Sequence, residues 1–508
     1  MKTRNPSRPS IRAWPSVLDA AIPLAEVRQQ ASELVAINAR QRHLLVILPA
    51  GQDWHGAPQA ESARAALARQ GKDAAALAKT ALGLPLPNGG LSSWLRLDPG
   101  AGTFETHASL RRALQALLDE HPGRLDIAVY GDAGFKTRAA AAAVYVAWVN
   151  GGALPNWKKD KPVAPLGQIV VHGAKGLALA EARAIAEGGW LTRQLAWLPP
   201  NLLGPATYRD YVRRLARREG WRIEEYDLPR LRKLGAGAFL AVAQGSPAQD
   251  AAIVRLSYPG AGGAARKPAL ALVGKGICFD TGGHNLKPAR YMHNMHDDMN
   301  GSAVALGILL AATRLHLAEP IEVWLAIAEN HLSPAAYRQN EVVRALNGDS
   351  IEIVHTDAEG RMVLADTLAL AARARPRLII DFATLTGSMA MALGERMSGA
   401  IANRDDLAQQ AVAAGWASGE RVVAFPMPAD YDEALESQVA DVKQCTLDGE
   451  ADHILAARFL SRFVGDTPWL HLDLSATRCK GGLGAAATEV TGFGVGLGVR
   501  LLDMLGSR

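Results

Sequence analysis

What most restricts this chain is an alternation of two periodicities. Short apolar, β-branched runs at 43–49 (HLLVILP), 125–130 and 169–171 read as strands, and a further strand is expected at 103–106. Between them, 61–81, 110–118 and 136–148 carry alanine- and leucine-rich helical spacing. Strands interleaved with helices bury both faces of a largely parallel sheet, so an α/β layer fold is expected. After a Gly- and Pro-containing passage at 151–165, one long helical stretch spans 178–197, weakened only at Gly188-Gly189, and stops before Pro199-Pro200-Asn201. That stop is the best boundary in the chain. Beyond it the alternation resumes, with strands expected at 221–226, 239–243, 252–257, 268–274, 322–328, 350–354, 378–382 and 469–474. Helices are expected at 207–219, 299–315, 362–374, 408–415, 454–463 and 494–504.

The 508 residues, 49% of them hydrophobic, suffice for two substantial cores. Three cysteines, Cys278, Cys445 and Cys479, are too few and too scattered for a disulfide framework or a cysteine-rich zinc site, which fits a reducing compartment. The start, 1–15, is basic, broken by prolines and without the apolar core of a secretory signal. The longest apolar run, 139–149, is too short to cross a bilayer, so a cytoplasmic protein with no membrane partner is expected. The formal net charge is +5, but residues 1–180 carry 21 Lys+Arg against 13 Asp+Glu, and the remainder 34 against 37. A basic first part could meet a polyanion, although no basic-aromatic alternation or finger spacing supports dedicated nucleic-acid recognition.

Two stretches carry chemistry. The first is His355-Thr356-Asp357-Ala358-Glu359-Gly360-Arg361, between the strand expected at 350–354 and the helix expected at 362–374. In an extended segment residues two apart face the same side, so Asp357 and Glu359 would address one point, with Gly360 permitting the turn and Arg361 close by. The second runs from Val273-Gly274-Lys275-Gly276 through Phe279-Asp280-Thr281-Gly282-Gly283 to Leu286-Lys287-Pro288, and Asp298 follows just before the helix expected at 299–315. A phosphate loop is disfavoured, because Gly274-Lys275-Gly276 lacks the Lys-Ser/Thr ending and its surroundings are acidic. Asp280, Asp298, Asp357 and Glu359 outnumber Lys275, Lys287 and Arg361, and carboxylates crowded into a pocket need protons or metal. An oxygen-rich set without cysteine favours paired divalent ions, which activate water and polarise a carbonyl. Hydrolysis is the chemistry such a set serves.

In this order and spacing the motifs resemble the leucyl aminopeptidase (cytosol aminopeptidase) family, dinuclear metallo-exopeptidases. The likeness covers about 180–500, through Pro199-Pro200-Asn201, Ala383-Thr384-Leu385-Thr386-Gly387, Ala440-Asp441, His471-Leu472-Asp473 and Thr491-Gly492-Phe493-Gly494. It implies a smaller N-terminal α/β domain of architectural, oligomer-forming role (1–177), a linker helix (178–198) and a larger C-terminal α/β catalytic domain with a central mixed sheet (199–508). It also implies that Asp280 and Glu359 bridge two divalent metal ions per subunit, that Lys275, as a neutral amine, and Asp298 complete one site, and that Asp357 completes the other. Zinc or manganese would be the first choices, cobalt or magnesium the alternatives. Lys287 would polarise the scissile carbonyl, and Arg361 would hold a bicarbonate acting as base on the metal-bridging water. Met295, Thr384, Leu385 and Gly387 would form the pocket for the first side chain or hold the substrate backbone. The implied activity is removal of N-terminal residues, leucine or other apolar ones first, from peptide substrates by a homohexamer. The chain departs from the family pattern at His284, His293, His296 and His355, to which the resemblance gives no role. Two rival readings are a metal-dependent hydrolase of another bond, such as a phosphoester, and a nucleic-acid-binding protein working through its basic first part.

Overall fold

The computed structural model describes residues 18, 20–51, 53–54, 56–159, 163–263 and 270–506. The basic start at 1–15 and the first two residues of the strand expected at 268–274 lie outside them. Among the described residues, no helix is long and apolar enough to cross a membrane.

The first sheet has six strands, in the order Glu26–Gln30, Gln168–His172, Arg124–Val129, His43–Pro49, Leu91–Leu97 and Leu82–Pro85, parallel throughout except for the last pair. Helices Thr103–Leu118 and Ala133–Asn150 cover one face, and Ala60–Arg69 lies on the other. Residues 103–106, expected as a strand, are instead the first turn of the helix Thr103–Leu118, which starts after Gly102 in extended conformation. The neighbouring strand is Leu91–Leu97 (LSSWLRL), whose buried serines disguise it; Ser92 donates to the Leu84 carbonyl at 3.2 Å. The helical stretch expected at 61–81 is shorter than its alanine content suggests. It stops at Arg69, and Ala74–Ala78 forms only a 3₁₀ turn.

The second sheet has eight strands, in the order Val422–Ala424, Ser398–Ala402, Trp469–Asp473, Leu378–Ala383, Leu270–Asp280, Ile321–Asn330, Ala252–Tyr258 and Arg222–Asp227. The four from Trp469–Asp473 to Ile321–Asn330 are parallel, and antiparallel pairs lie on both sides of them, so the sheet is mixed as expected. The central strands read as continuous apolar runs because helices bury both faces. Ala180–Trp197, Pro205–Glu219, Asn300–Arg314, Asp405–Ser418 and Val495–Gly506 pack on one face, and Gly237–Ala243, Glu359–Arg373 and Asp452–Ser461 on the other. Residues 239–243, expected as a strand, belong to the helix Gly237–Ala243, since a short, wholly buried apolar run has no periodicity to betray its type. Asp366 fixes that helix by accepting the Phe239 N–H at 2.8 Å and the Leu346 N–H at 2.7 Å.

The long helix Ala180–Trp197 lies directly against Asn300–Arg314. A Cβ at Gly188 would stand 2.4 Å from the Gly307 carbonyl oxygen, and one at Gly307 2.5 Å from Thr192 Oγ1. Gly188 is therefore a point of close approach between two backbones, in a pair whose sequence suggests only a weak point in the helix. Thr192 ties the contact by donating to the Ala303 carbonyl at 3.0 Å.

Candidate metal centre and active site

The central parallel strands end at one place. Asp280 closes Leu270–Asp280, Asn330 closes Ile321–Asn330, Asp473 closes Trp469–Asp473, and Thr384 follows Leu378–Ala383. The carboxyl ends of parallel strands are where an open α/β sheet leaves a crevice for ligands. Lys275 sits within its strand opposite Ala326 and is only 3% exposed. Its ammonium lies 2.9 Å from Asp298 Oδ1 and 3.0 Å from Glu359 Oε1, and donates to the Thr384 carbonyl at 2.8 Å. Lys287 Nζ lies 3.0 Å from Asp280 Oδ2 and 2.5 Å from Asp357 Oδ1.

Asp357 and Glu359 meet, although not by alternation along a strand. The strand stops at Glu352, and Glu359 is the first residue of the helix Glu359–Arg373. The turn between them is clasped to the Asp280–Lys287 loop by Thr356. Its hydroxyl donates to the Gly282 carbonyl at 2.6 Å and accepts the Asn285 N–H at 2.8 Å, while its own N–H goes to Asn285 Oδ1 at 2.8 Å. Tyr337 and Asn330 both donate to the Thr356 carbonyl, at 2.7 and 3.0 Å. Gly360 must be glycine for a different reason: a Cβ there would stand 2.7 Å from Lys275 Cε and 2.8 Å from its Nζ. The helix backbone thus forms one wall of the lysine's channel.

The electrostatics match a cation site. Burial, reinforced by neighbouring carboxylates, pushes Asp357 and Glu359 up to about 7. Burial likewise lifts Asp298 to about 6, with the Lys275 ammonium opposing. Burial alone would depress Lys275 and Lys287, yet the surrounding carboxylates hold both above their usual range. Two ammoniums face four carboxylates, because Arg361 is engaged elsewhere: its Nη2 lies 2.7 and 2.8 Å from the two oxygens of Asp452, and its Nη1 donates to the Gln444 carbonyl at 3.0 Å. Asp298 Oδ2 and Glu359 Oε2 are buried with no hydrogen-bond partner. Oxygens of Asp280, Asp357 and Glu359 lie within 4.8 Å of one another. Oxygens of Asp280, Asp357 and Glu359 gathered about one point, with unpartnered buried oxygens on Glu359 and the nearby Asp298, are a donor set for hard divalent cations, so the residues fit such ions.

A cavity of about 1150 Å³ opens over this centre, and every sequence-predicted site residue lines it: Lys275, Asp280, Lys287, Met295, Asp298, Asp357, Glu359, Arg361, Thr384, Leu385 and Gly387. His293 and His355 also line it, whereas His284 is exposed and pairs through Nδ1 with the Tyr337 carbonyl at 3.0 Å. His355 Nδ1 accepts the Asp357 N–H at 3.2 Å, which leaves its proton on Nε2. Sequence reasoning missed two supporting carboxylates. Asp473 accepts the Leu385 N–H at 3.1 Å and the Thr386 hydroxyl at 2.6 Å, fixing the 384–386 backbone. Its signal was present in His471-Leu472-Asp473 at the end of an apolar strand, but Asp452 had no local sign.

The profile of the catalytic domain of the cytosol aminopeptidase family matches residues 190–502. The chain belongs to this family. A probable cytosol aminopeptidase of Bradyrhizobium sp. (strain BTAi1) is 40% identical over 354 residues, which is 68% of this chain and 69% of that protein. Across eight such relatives the matched stretch spans from 61% to 74% of the relative's own length. Among solved structures, the bottromycin maturation enzyme BotP in complex with Mn superposes with a TM-score of 0.78 at 30% identity, covering 91% of this chain and 99% of that one. A tomato leucine aminopeptidase mutant superposes at 0.80 with 26% identity, covering 95% and 97%. Family membership agrees with the acidic cluster as a site for divalent metal.

Proposed function

We propose that the chain is a two-metal aminopeptidase that removes N-terminal residues, leucine or other apolar ones first, from peptides. The observation that carries this reading is the convergence of Asp280, Asp298, Asp357 and Glu359 with Lys275 at the floor of one large cavity, leaving buried carboxylate oxygens unpartnered. Asp280 and Glu359 would hold both ions, Lys275 and Asp298 would complete one site, and Asp357 the other. Divalent ions there, zinc or manganese before cobalt or magnesium, would supply Lewis acidity and an acidified water.

The chain's own groups then have separable tasks. Lys287, held by Asp280 and Asp357 at the cavity edge, offers its ammonium to the scissile carbonyl oxygen as charge develops there. The backbone at Thr384 and Leu385 is immobilised from both sides, its carbonyl by Lys275 and its N–H by Asp473, so a substrate aligned along it meets a fixed edge. Met295 and Leu385 offer apolar wall, and at Gly387 nothing lies within 4 Å of where a side chain would start, which leaves room for the first residue. By the same family reading, the protein is cytoplasmic and a homohexamer, with residues 1–177 architectural, 178–198 a linker helix and 199–508 catalytic.

The test is leucyl-anilide turnover by metal-reconstituted protein beside Glu359→Ala. The variant is expected to lose both activity and bound metal, and equal turnover by the two proteins would sink the proposal. Turnover of a phosphoester substrate without anilide hydrolysis would replace it with the rival hydrolase reading.

A further inference from the structure

Arg361 is a fully charged group in a place that water hardly reaches: its side chain is 2% exposed. A buried guanidinium requires an anion, and truncating that anion strands the charge. Here the anion belongs to the chain. Asp452 places both oxygens on Arg361 Nη2, at 2.7 and 2.8 Å, and both residues line the cavity. With Nη1 given to the Gln444 carbonyl, a small anion entering from the cavity would have to displace Asp452 to reach the guanidinium's outer nitrogens.

The local backbone is bent to make this contact. Asp452 is the first residue of the helix Asp452–Ser461, and Ala451 before it sits at φ 50°, in the left-handed region that an alanine seldom adopts. A non-glycine residue held there is strained and persists only where the surroundings fix it. The carboxylate also stands at the helix N-terminus, which favours negative charge independently of Arg361. Burial would lower the arginine's pKa, and the negative groups around it, Asp452 first among them, together hold it above its usual value. Asp452 thus has two reasons to stay in place.

We infer that Asp452 occupies the anion seat of Arg361 permanently, so that this chain carries its own carboxylate where a bicarbonate would otherwise sit, and works without one. An aspartate carboxylate presents the same planar pair of oxygens as bicarbonate, tethered and therefore without the cost of capturing a free ion. On this inference the Asp452 carboxylate, held by Arg361, stands in for the bicarbonate as the acceptor of the attacking water's proton. The inference rests on the proposed peptidase reading for the reaction it affects, but not for the anion seat itself.

The experiment compares the metal-loaded wild type with Asp452→Ala and, as a variant that keeps the shape, Asp452→Asn, each in carbonate-free buffer and with added bicarbonate. Wild-type kcat/KM is expected to be the same in both buffers. Both variants should fall by about 100-fold without bicarbonate; Asp452→Ala should recover most of that loss with it, and Asp452→Asn, whose amide still fills the seat, should not. Binding of isotope-labelled bicarbonate, followed by NMR on the zinc-loaded proteins, should be absent in the wild type and in Asp452→Asn and present in Asp452→Ala. Wild-type activity that depends on bicarbonate, or wild-type protein that binds it, overturns the inference. So does an Asp452→Ala protein that neither binds bicarbonate nor responds to it. Bicarbonate binding gained by Asp452→Ala, with no peptide hydrolysis by any of the proteins, supports the anion seat and sinks the peptidase reading instead.

Discussion

Replacing Gly360 by alanine should give a protein that is folded and about 100-fold less active. The new methyl would lie 2.7 Å from Lys275 Cε, 2.8 Å from Nζ and 2.9 Å from Leu385 Cδ1. Carbon contacts relax at about 3.5–4.0 Å, so the tip of Lys275 must retreat by about 1 Å. Its ammonium is held at 2.8, 2.9 and 3.0 Å by the Thr384 carbonyl, Asp298 and Glu359, and a shift of that size carries it out of hydrogen-bond range of at least one of them. Two stability effects oppose each other. Alanine in a helix is favoured over glycine by about 1 kcal/mol, and overpacking costs about 1–3 kcal/mol. The net change in folding free energy should therefore stay within about 2 kcal/mol. Catalysis has no such offset, since a misplacement of about 1 Å in a positioned site costs about 100-fold. Urea unfolding, metal content after dialysis and kcat/KM on leucyl-p-nitroanilide separate the two effects. A Gly360→Ala protein with wild-type kcat/KM and a full complement of metal would refute the reasoning.

Two further perturbations test the frame around the site. Asp366→Asn turns an amide NH₂ toward one of two buried N–H donors, those of Phe239 and Leu346, and should cost about 2–3 kcal/mol in urea unfolding; an unchanged midpoint would show that the carboxylate is dispensable there. Glu420 accepts the Gly494 and Leu497 N–H groups through one oxygen, and burial pushes its carboxyl up to about 7 from 4.5. The folded state then keeps a proton that the unfolded chain has released, so stability falls as pH rises through that window. Glu420→Gln retains both hydrogen bonds and removes the titration. Relative to wild type it should gain about 2 kcal/mol between pH 5 and pH 8, and parallel pH profiles for the two proteins would disprove this.

The parts of the fold legible from the amino-acid order are those where one physical signal acts alone. Central strands such as Leu378–Ala383 are buried on both faces and read as unbroken apolar runs, and capped or amphipathic helices read from their spacing. Two kinds of segment escaped. Polar edge strands such as Glu26–Gln30 (EVRQQ) have no buried face to mark them, and short buried runs such as Gly237–Ala243 are apolar in either conformation. The site was legible further than its geometry. Lys275, Asp280, Asp298, Asp357 and Glu359 do converge, yet Glu359 arrives on a helix rather than a strand. Asp452 lies so far along the chain from Arg361 that only tertiary packing reveals the pair.

The contact between Gly188 and Gly307 has a mechanical meaning. Side chains between helices act as compliant pads, able to change rotamer and absorb a displacement. Where two backbones touch, as between the helices Ala180–Trp197 and Asn300–Arg314, there is no pad to take up a displacement. The first is fed by the last strand of the N-terminal sheet, and the second begins two residues after Asp298. The contact thus ties, backbone to backbone, the helix that follows the first sheet to the helix that opens beside a candidate metal ligand in the second.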